Sequence, residues 1–245
     1  MRDNRRTTAD FDRAIQLNPN DARAYNDRGM ARSKLGDNRG AIADYNEAVR
    51  INPNYDKSYY NPGNAHSELG DWQGAIVDYN EVVRISPNYA EVYNNQGYAD
   101  YKLGDLQSAI VDYNETLRIN PNYALAYDNR GNARRALGDN KGALADYNEA
   151  VRISPNFALA YRNRGNVLCE LGDNKGAVAD YNEALRIEPN DAFAYDNRGD
   201  ARRGLGDRQG AIADFQKAAN LFQQQKNKND YQNTLNKIAN LKPQI

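Results

Sequence analysis

The 245-residue chain has one cysteine, one histidine, one tryptophan and two methionines. A lone Cys169 excludes an internal disulfide and a cysteine-based metal cluster, and a lone His66 excludes a multi-histidine metal site. No stretch approaches the ~18 consecutive apolar residues that a transmembrane helix needs. The opening residues, MRDNRRTTADFDRAIQ, lack the apolar core of a secretory signal. Charge of one sign is missing as well. The chain has 32 Lys+Arg against 33 Asp+Glu, so neither nucleic acid nor a membrane surface is expected as a partner. A mean hydropathy of −0.94 is low for one packed core. These scarcities predict a cytoplasmic, non-enzymatic protein with no cofactor and no metal.

What the sequence has is a period. Six of its eight prolines, Pro19, Pro53, Pro87, Pro121, Pro155 and Pro189, recur every 34 residues. Glycine recurs with the same step, once in the series from Gly29 to Gly199 and again in the series from Gly36 to Gly206. A fixed step of this size marks an array of stacked supersecondary units. The first unit reads ARAYNDRGMARSKLGDNRGAIADYNEAVRINPNY, and each half carries small or apolar residues at helical spacing. Between the halves, Gly36 can adopt the left-handed conformation that ends a helix, and Asp37 can cap the next one. Pro53 ends the second helix, and the Asn after it is expected to cap the following unit. Gly29 and Ala41 leave room for close helix approach, while Tyr45, Tyr79, Tyr113, Tyr147, Tyr181 and Phe215 fill the space between neighbours.

Period 34, Tyr25, Gly29, the LGD turn, Ala41, Tyr45, Ala48 and Pro53 together resemble the tetratricopeptide repeat. The resemblance implies an all-α fold, a right-handed superhelical solenoid of antiparallel helix pairs whose first helices line a groove. It also implies a scaffold that binds a protein or peptide. The expected division is a half-repeat over 1–21, repeats over 22–55, 56–89, 90–123, 124–157, 158–191 and 192–225, and a capping helix over 226–245. The half-repeat is a lone second helix expected to expose Phe11, Ile15 and Leu17. The cap follows a linker, QQQKNKN, and carries Tyr231, Leu235, Ile238 and Leu241 on one stripe.

Two departures from the family pattern stand out. Arg28, Arg130, Arg164 and Arg198 occupy a place where such helices usually carry Leu, and Pro62 and Gln96 replace them in repeats two and three. Asp44, Asp78, Asp112, Asp146, Asp180 and Asp214 recur on the facing helix. An Arg–Asp pair inside the hairpin would satisfy both charges, and Pro62 is expected to kink its helix.

The candidate binding residues lie on the first helices. At the sixth place of the repeat stand Asn61, Asn95, Asn129, Asn163 and Asn197, after Asp27 in the first. An amide both donates and accepts, so such a ladder can grip an extended peptide backbone. It is similar to the asparagine ladder of O-linked N-acetylglucosamine transferases. One turn further on, Asn64, Tyr98, Asn132 and Asn166 share that face. Arg162, Asn166 and Asn197 also resemble, in part, a clamp for a C-terminal carboxylate. Arginines around Arg130 and Arg198 are expected to be solvated or paired within hairpins, and His66 to be a surface or packing residue. Carboxylates recur with the repeat, as architecture does, and no catalytic constellation is found. The leading function is a peptide-binding scaffold. Alternatives are self-association through the half-repeat and a recognition arm of a larger protein.

Overall fold

The structure, a computed structural model, describes residues 2–53 and 57–241. The boundary between the first two expected repeats, at 55 and 56, and the last four residues of the expected cap lie outside the described residues. Among the described residues every regular element is an α-helix. The helices fall into two compact units divided between Pro121 and Asn122.

The first unit holds α1 (Arg2–Leu17), α2 (Ala22–Lys34), α3 (Asn38–Ile51), α4 (Lys57–Glu68), α5 (Trp72–Ile85), α6 (Ala90–Leu103) and α7 (Leu106–Ile119). Its hairpins are α2–α3, α4–α5 and α6–α7, with α1 packed on α2, α3 on α4 and α5 on α6. The second unit holds α8 (Ala124–Ala136), α9 (Asn140–Ile153), α10 (Ala158–Glu170) and α11 (Asn174–Ile187). It continues with α12 (Ala192–Gly204), α13 (Arg208–Gln224) and α14 (Lys228–Leu241). Its hairpins, α8–α9, α10–α11 and α12–α13, stack in the same way, and α14 packs on α13. In each unit first helices touch first helices across hairpins, α2 with α4 and α4 with α6, α8 with α10 and α10 with α12.

Local chemistry explains the hairpins. Gly36, Gly70, Gly104, Gly138, Gly172 and Gly206 all have φ near +80°, in the left-handed region that ends a helix without a Cβ penalty. Asp37 then accepts from the Gly40 amide, and Asp71, Asp105, Asp139, Asp173 and Asp207 do the same at their own turns. The expected Asn cap is corrected. The capping position of the first helices is one residue later, where Asp21 and Asp191 accept from the backbone but Tyr89, Tyr123 and Phe157 offer no side-chain acceptor.

Packing is set by glycine against an aromatic ring. A Cβ on Gly131 would come within 2.7 Å of the Tyr147 ring, and one on Gly29 within 2.5 Å of the Tyr45 ring. Each such ring is almost wholly buried, as are Ala41, Ala75, Ala109, Ala143, Ala177 and Ala211. Hairpins then share cores with their neighbours: Ala75, Tyr79 and Val82 pack with Val92, and Ala184 and Leu185 with Ala194. A single hairpin could not bury that face alone.

Helix α4 carries Pro62 inside one element. Other expectations need correction. The stretch taken as a linker is mostly helix, because α13 extends to Gln224 and α14 begins at Lys228. Between them Gln225, Lys226 and Asn227 reproduce the Leu-Gly-Asp turn, with Lys226 at φ 58 and the Asn227 amide on the Phe222 carbonyl. In α1, Ile15 is buried, whereas Leu17 is 81% exposed.

Candidate functional site

The arginines that replace Leu are bound within their hairpins. Arg28 Nε and Nη2 lie 3.0 and 2.5 Å from the Asp44 carboxylate, and the same bidentate contact joins Arg130 to Asp146, Arg164 to Asp180 and Arg198 to Asp214. Arg32, Arg134 and Arg202 add a second guanidinium in three of these hairpins. Each leading guanidinium also stacks on the tyrosine three residues before it: Tyr25, Tyr127, Tyr161 or Tyr195. Buried charge is tolerated here because it is paired and hydrogen-bonded. His66, read from sequence as a surface or packing residue, has a partner: its Nδ1 lies 2.8 Å from Asp78 and takes the arginine's role in the second hairpin. Arg135 pairs with Glu170, and Arg203 with Asp200.

The amides of the first helices form a relay. In the first unit the buried Tyr79 hydroxyl donates to Asn64 Oδ1 at 2.8 Å, and Asn95 Nδ2 donates to the same oxygen at 3.2 Å. In the second unit the Tyr181 hydroxyl and Asn197 Nδ2 converge on Asn166 Oδ1, both at 2.8 Å. Both contacts of Asn64 and of Asn166 fall on the carbonyl oxygen, which leaves each amide nitrogen unspent.

Two crevices open beside these relays. One, of about 350 Å³, is lined by Asn64, Ser67, Glu68, Tyr79, Asn95 and Tyr98. The other, of about 300 Å³, is lined by Arg135, Asn166, Cys169, Glu170, Tyr181, Asn197 and Asp200. Burial pushes the Tyr79 hydroxyl up to about 12 and Tyr181 higher still, so both remain donors at neutral pH. Burial also raises the Cys169 thiol, which keeps it protonated and unreactive. Tyr98, 40% exposed, packs at right angles to Trp72, and Lys102 lies over its ring.

The remaining candidates are placed differently. Asn61 reaches back to Asn26 Oδ1 at 2.8 Å. Asn129 is half-buried on α8. Asn132 is held on both sides, taking the Tyr147 hydroxyl and giving its amide hydrogen to Asp128. Asn163 is turned inward: it is 8% exposed and donates to Asp128 at 3.0 Å, so it does not line a crevice. Arg162 pairs with Asp191 at 2.7 Å and stacks on Phe193, and both it and Phe193 line a further surface pocket. Asp128 itself is 1% exposed, and burial lifts its carboxyl to about 6. In the last hairpin α14 supplies the contacts, with Thr234 donating to Asp196 and Lys237 bridging Asp196 and Asp200.

Sequence reasoning missed two features of this site. It treated the recurring tyrosine only as packing, although its hydroxyl anchors the relay. It also did not foresee that Asn26, Asn94 and Asp128, at the fifth place of the repeat, are buried polar groups. A polar residue recurring at one helical register beside small apolar ones was the available signal.

Repeated hairpins, glycine-against-aromatic packing and an amide-lined first-helix face define an α-solenoid of the protein-interaction class. The chain belongs to the tetratricopeptide repeat family: models of that repeat match residues 11–43, overlapping stretches from 31 to 206, and 194–225. No curated protein matches the sequence. Among solved structures, MamA is similar at 27% identity and a TM-score of 0.62, over 67% of this chain and 96% of that one. YrrB, described as a TPR protein with an unusual peptide-binding site, is similar at 21% identity and a TM-score of 0.62, over 75% of this chain and 95% of its own. PilF of Pseudomonas aeruginosa is similar at 16% identity and a TM-score of 0.74, over 88% and 97% respectively. No helix among the described residues is long and apolar enough to cross a membrane.

Proposed function

We propose that the chain is a non-enzymatic scaffold that grips extended peptide of a partner protein on the first-helix face of each unit. The doubled Tyr–Asn–Asn relay carries this reading. It fixes Asn64, Asn95, Asn166 and Asn197 in orientation and leaves the amide nitrogens of Asn64 and Asn166 unspent beside two crevices of like construction. Fixed amides suit the carbonyls of an extended backbone. The reading is in keeping with the peptide-binding description of YrrB. A cytoplasmic setting accords with the single thiol of Cys169.

We also infer that the repeats divide at the positions read from the period, with α1 serving as a lone second helix. Arg28 reaches back to Asp12 of α1 at 2.7 Å, just as Arg164 reaches back to Asn148 and Arg198 to Asn182. The α14 contacts to Asp196 support its role as a cap. Self-association through the exposed Leu17 side of α1 is a second reading; a Leu17→Glu variant would then lower the mass measured by light scattering.

The test is capture from a random peptide array by the wild-type chain and by a variant carrying Asn→Ala at 64, 95, 166 and 197. Each single change should weaken capture by about tenfold or less, since one neutral hydrogen bond is worth about 1 kcal/mol. The quadruple variant, shown folded by circular dichroism, should capture nothing. Equal capture would refute the proposal.

A further inference from the structure

The third hairpin breaks the charge pattern that the others keep. Four hairpins seat an arginine on the recurring aspartate, and the second seats His66 there. In the third, the two places that would supply the cation hold Gln96 and Asp100. Asp112 is nevertheless present, 9% exposed, with its Oδ2 buried and without a partner. Gln96 Oε1 is likewise buried without a partner. Asp100, also 9% exposed, is a second carboxyl close beside it, and together with burial it raises the Asp112 carboxyl.

These groups face an open crevice of about 430 Å³ between α5, α6 and α7, lined by Ile76, Gln96, Asp100, Ser108, Val111 and Asp112 among others. It lies on the second-helix side, separate from the Asn64 and Asn166 crevices. We propose that it receives the arginine side chain of a partner protein, completing from outside the ion pair that the other arginine-bearing hairpins make internally. The chemistry fits in two parts. Two carboxylates and an amide oxygen offer only acceptors to a head group that only donates. Ile76 and the 65%-exposed Val111 give the aliphatic stem an apolar wall. Burial and the neighbouring carboxylate hold Asp112 well above the usual carboxylate range, so in the free protein the pair keeps a proton that an entering cation displaces. The other charged group nearby, Asp105 at the head of α7, is also acidic.

The probe is N-acetyl-arginine amide, titrated into the full chain by NMR, with the citrulline and lysine analogues as comparators. The arginine probe should give saturable shifts at Ser108, Val111 and Asp112, and the Asp112 carboxyl should titrate at lower pH in its presence. Gln96→Arg should fill the crevice from within, raise the melting temperature and weaken the probe by about tenfold or more. Asp112→Asn should weaken it similarly while keeping the fold. Absent saturation, binding undiminished in Gln96→Arg, or citrulline or lysine matching arginine would each overturn the proposal.

Discussion

Gly131 has no room for a methyl group. Its Cβ would lie 2.7 Å from a Tyr147 ring that is fully buried and tethered through its hydroxyl to Asn132, so the ring cannot swing aside. Gly131→Ala should therefore destabilise the chain by about 1–3 kcal/mol despite alanine's better helix propensity, as read from the urea midpoint. Lys226 presents the opposite case, a side chain where the backbone wants none. Lys226→Gly should stabilise by about 1 kcal/mol, because the turn at φ 58 then carries no left-handed penalty. Asp128 gives the pH dependence. Its folded carboxyl titrates near 6 against an ordinary 3.8, so the folded state holds the proton more tightly than the unfolded chain does. The stabilising contribution is complete below pH 3.8 and lost as pH rises through 6. Asp128→Asn should remove this dependence, its urea midpoint changing less between pH 4 and pH 7 than that of wild type.

At the scale of the element, each hairpin is a glycine stop, an aspartate cap and, in four cases, an arginine clamp. Asp146 answers two guanidiniums, Arg130 and Arg134. Asp146→Ala would strand both, and a loss of about 3 kcal/mol or more is expected from thermal melts. The turn and the cap were legible in the sequence because they depend on residues within one or two turns of each other. The partner of His66 was not, since that contact crosses from one helix to the other and puts an imidazole where the other hairpins have a guanidinium. Within α4 the continuous helix is held against Ala75, Tyr79 and Val82, the core to which Tyr59 and Tyr60 also pack.

For the whole molecule, stability should follow the hairpin order, because each hairpin draws its core from its neighbours. A Gly63→Ala change, whose Cβ would meet the Tyr79 ring at 2.5 Å, should lower amide protection in α4, α5 and the helices packed on them. Hydrogen exchange in α12, α13 and α14 should be unchanged. By itself the sequence determined the period, the helix pairs, the turns and the glycine-facing rings, since these follow from short-range spacing repeated six times. Only the tertiary structure decided which amides are spent and which are presented. Asn163 and Asn197 occupy the same register, yet one is buried on Asp128 and the other held on Asn166 beside a crevice. Their fates depend on what the preceding hairpin places opposite them, and contacts made across some thirty residues of chain leave no mark in local spacing.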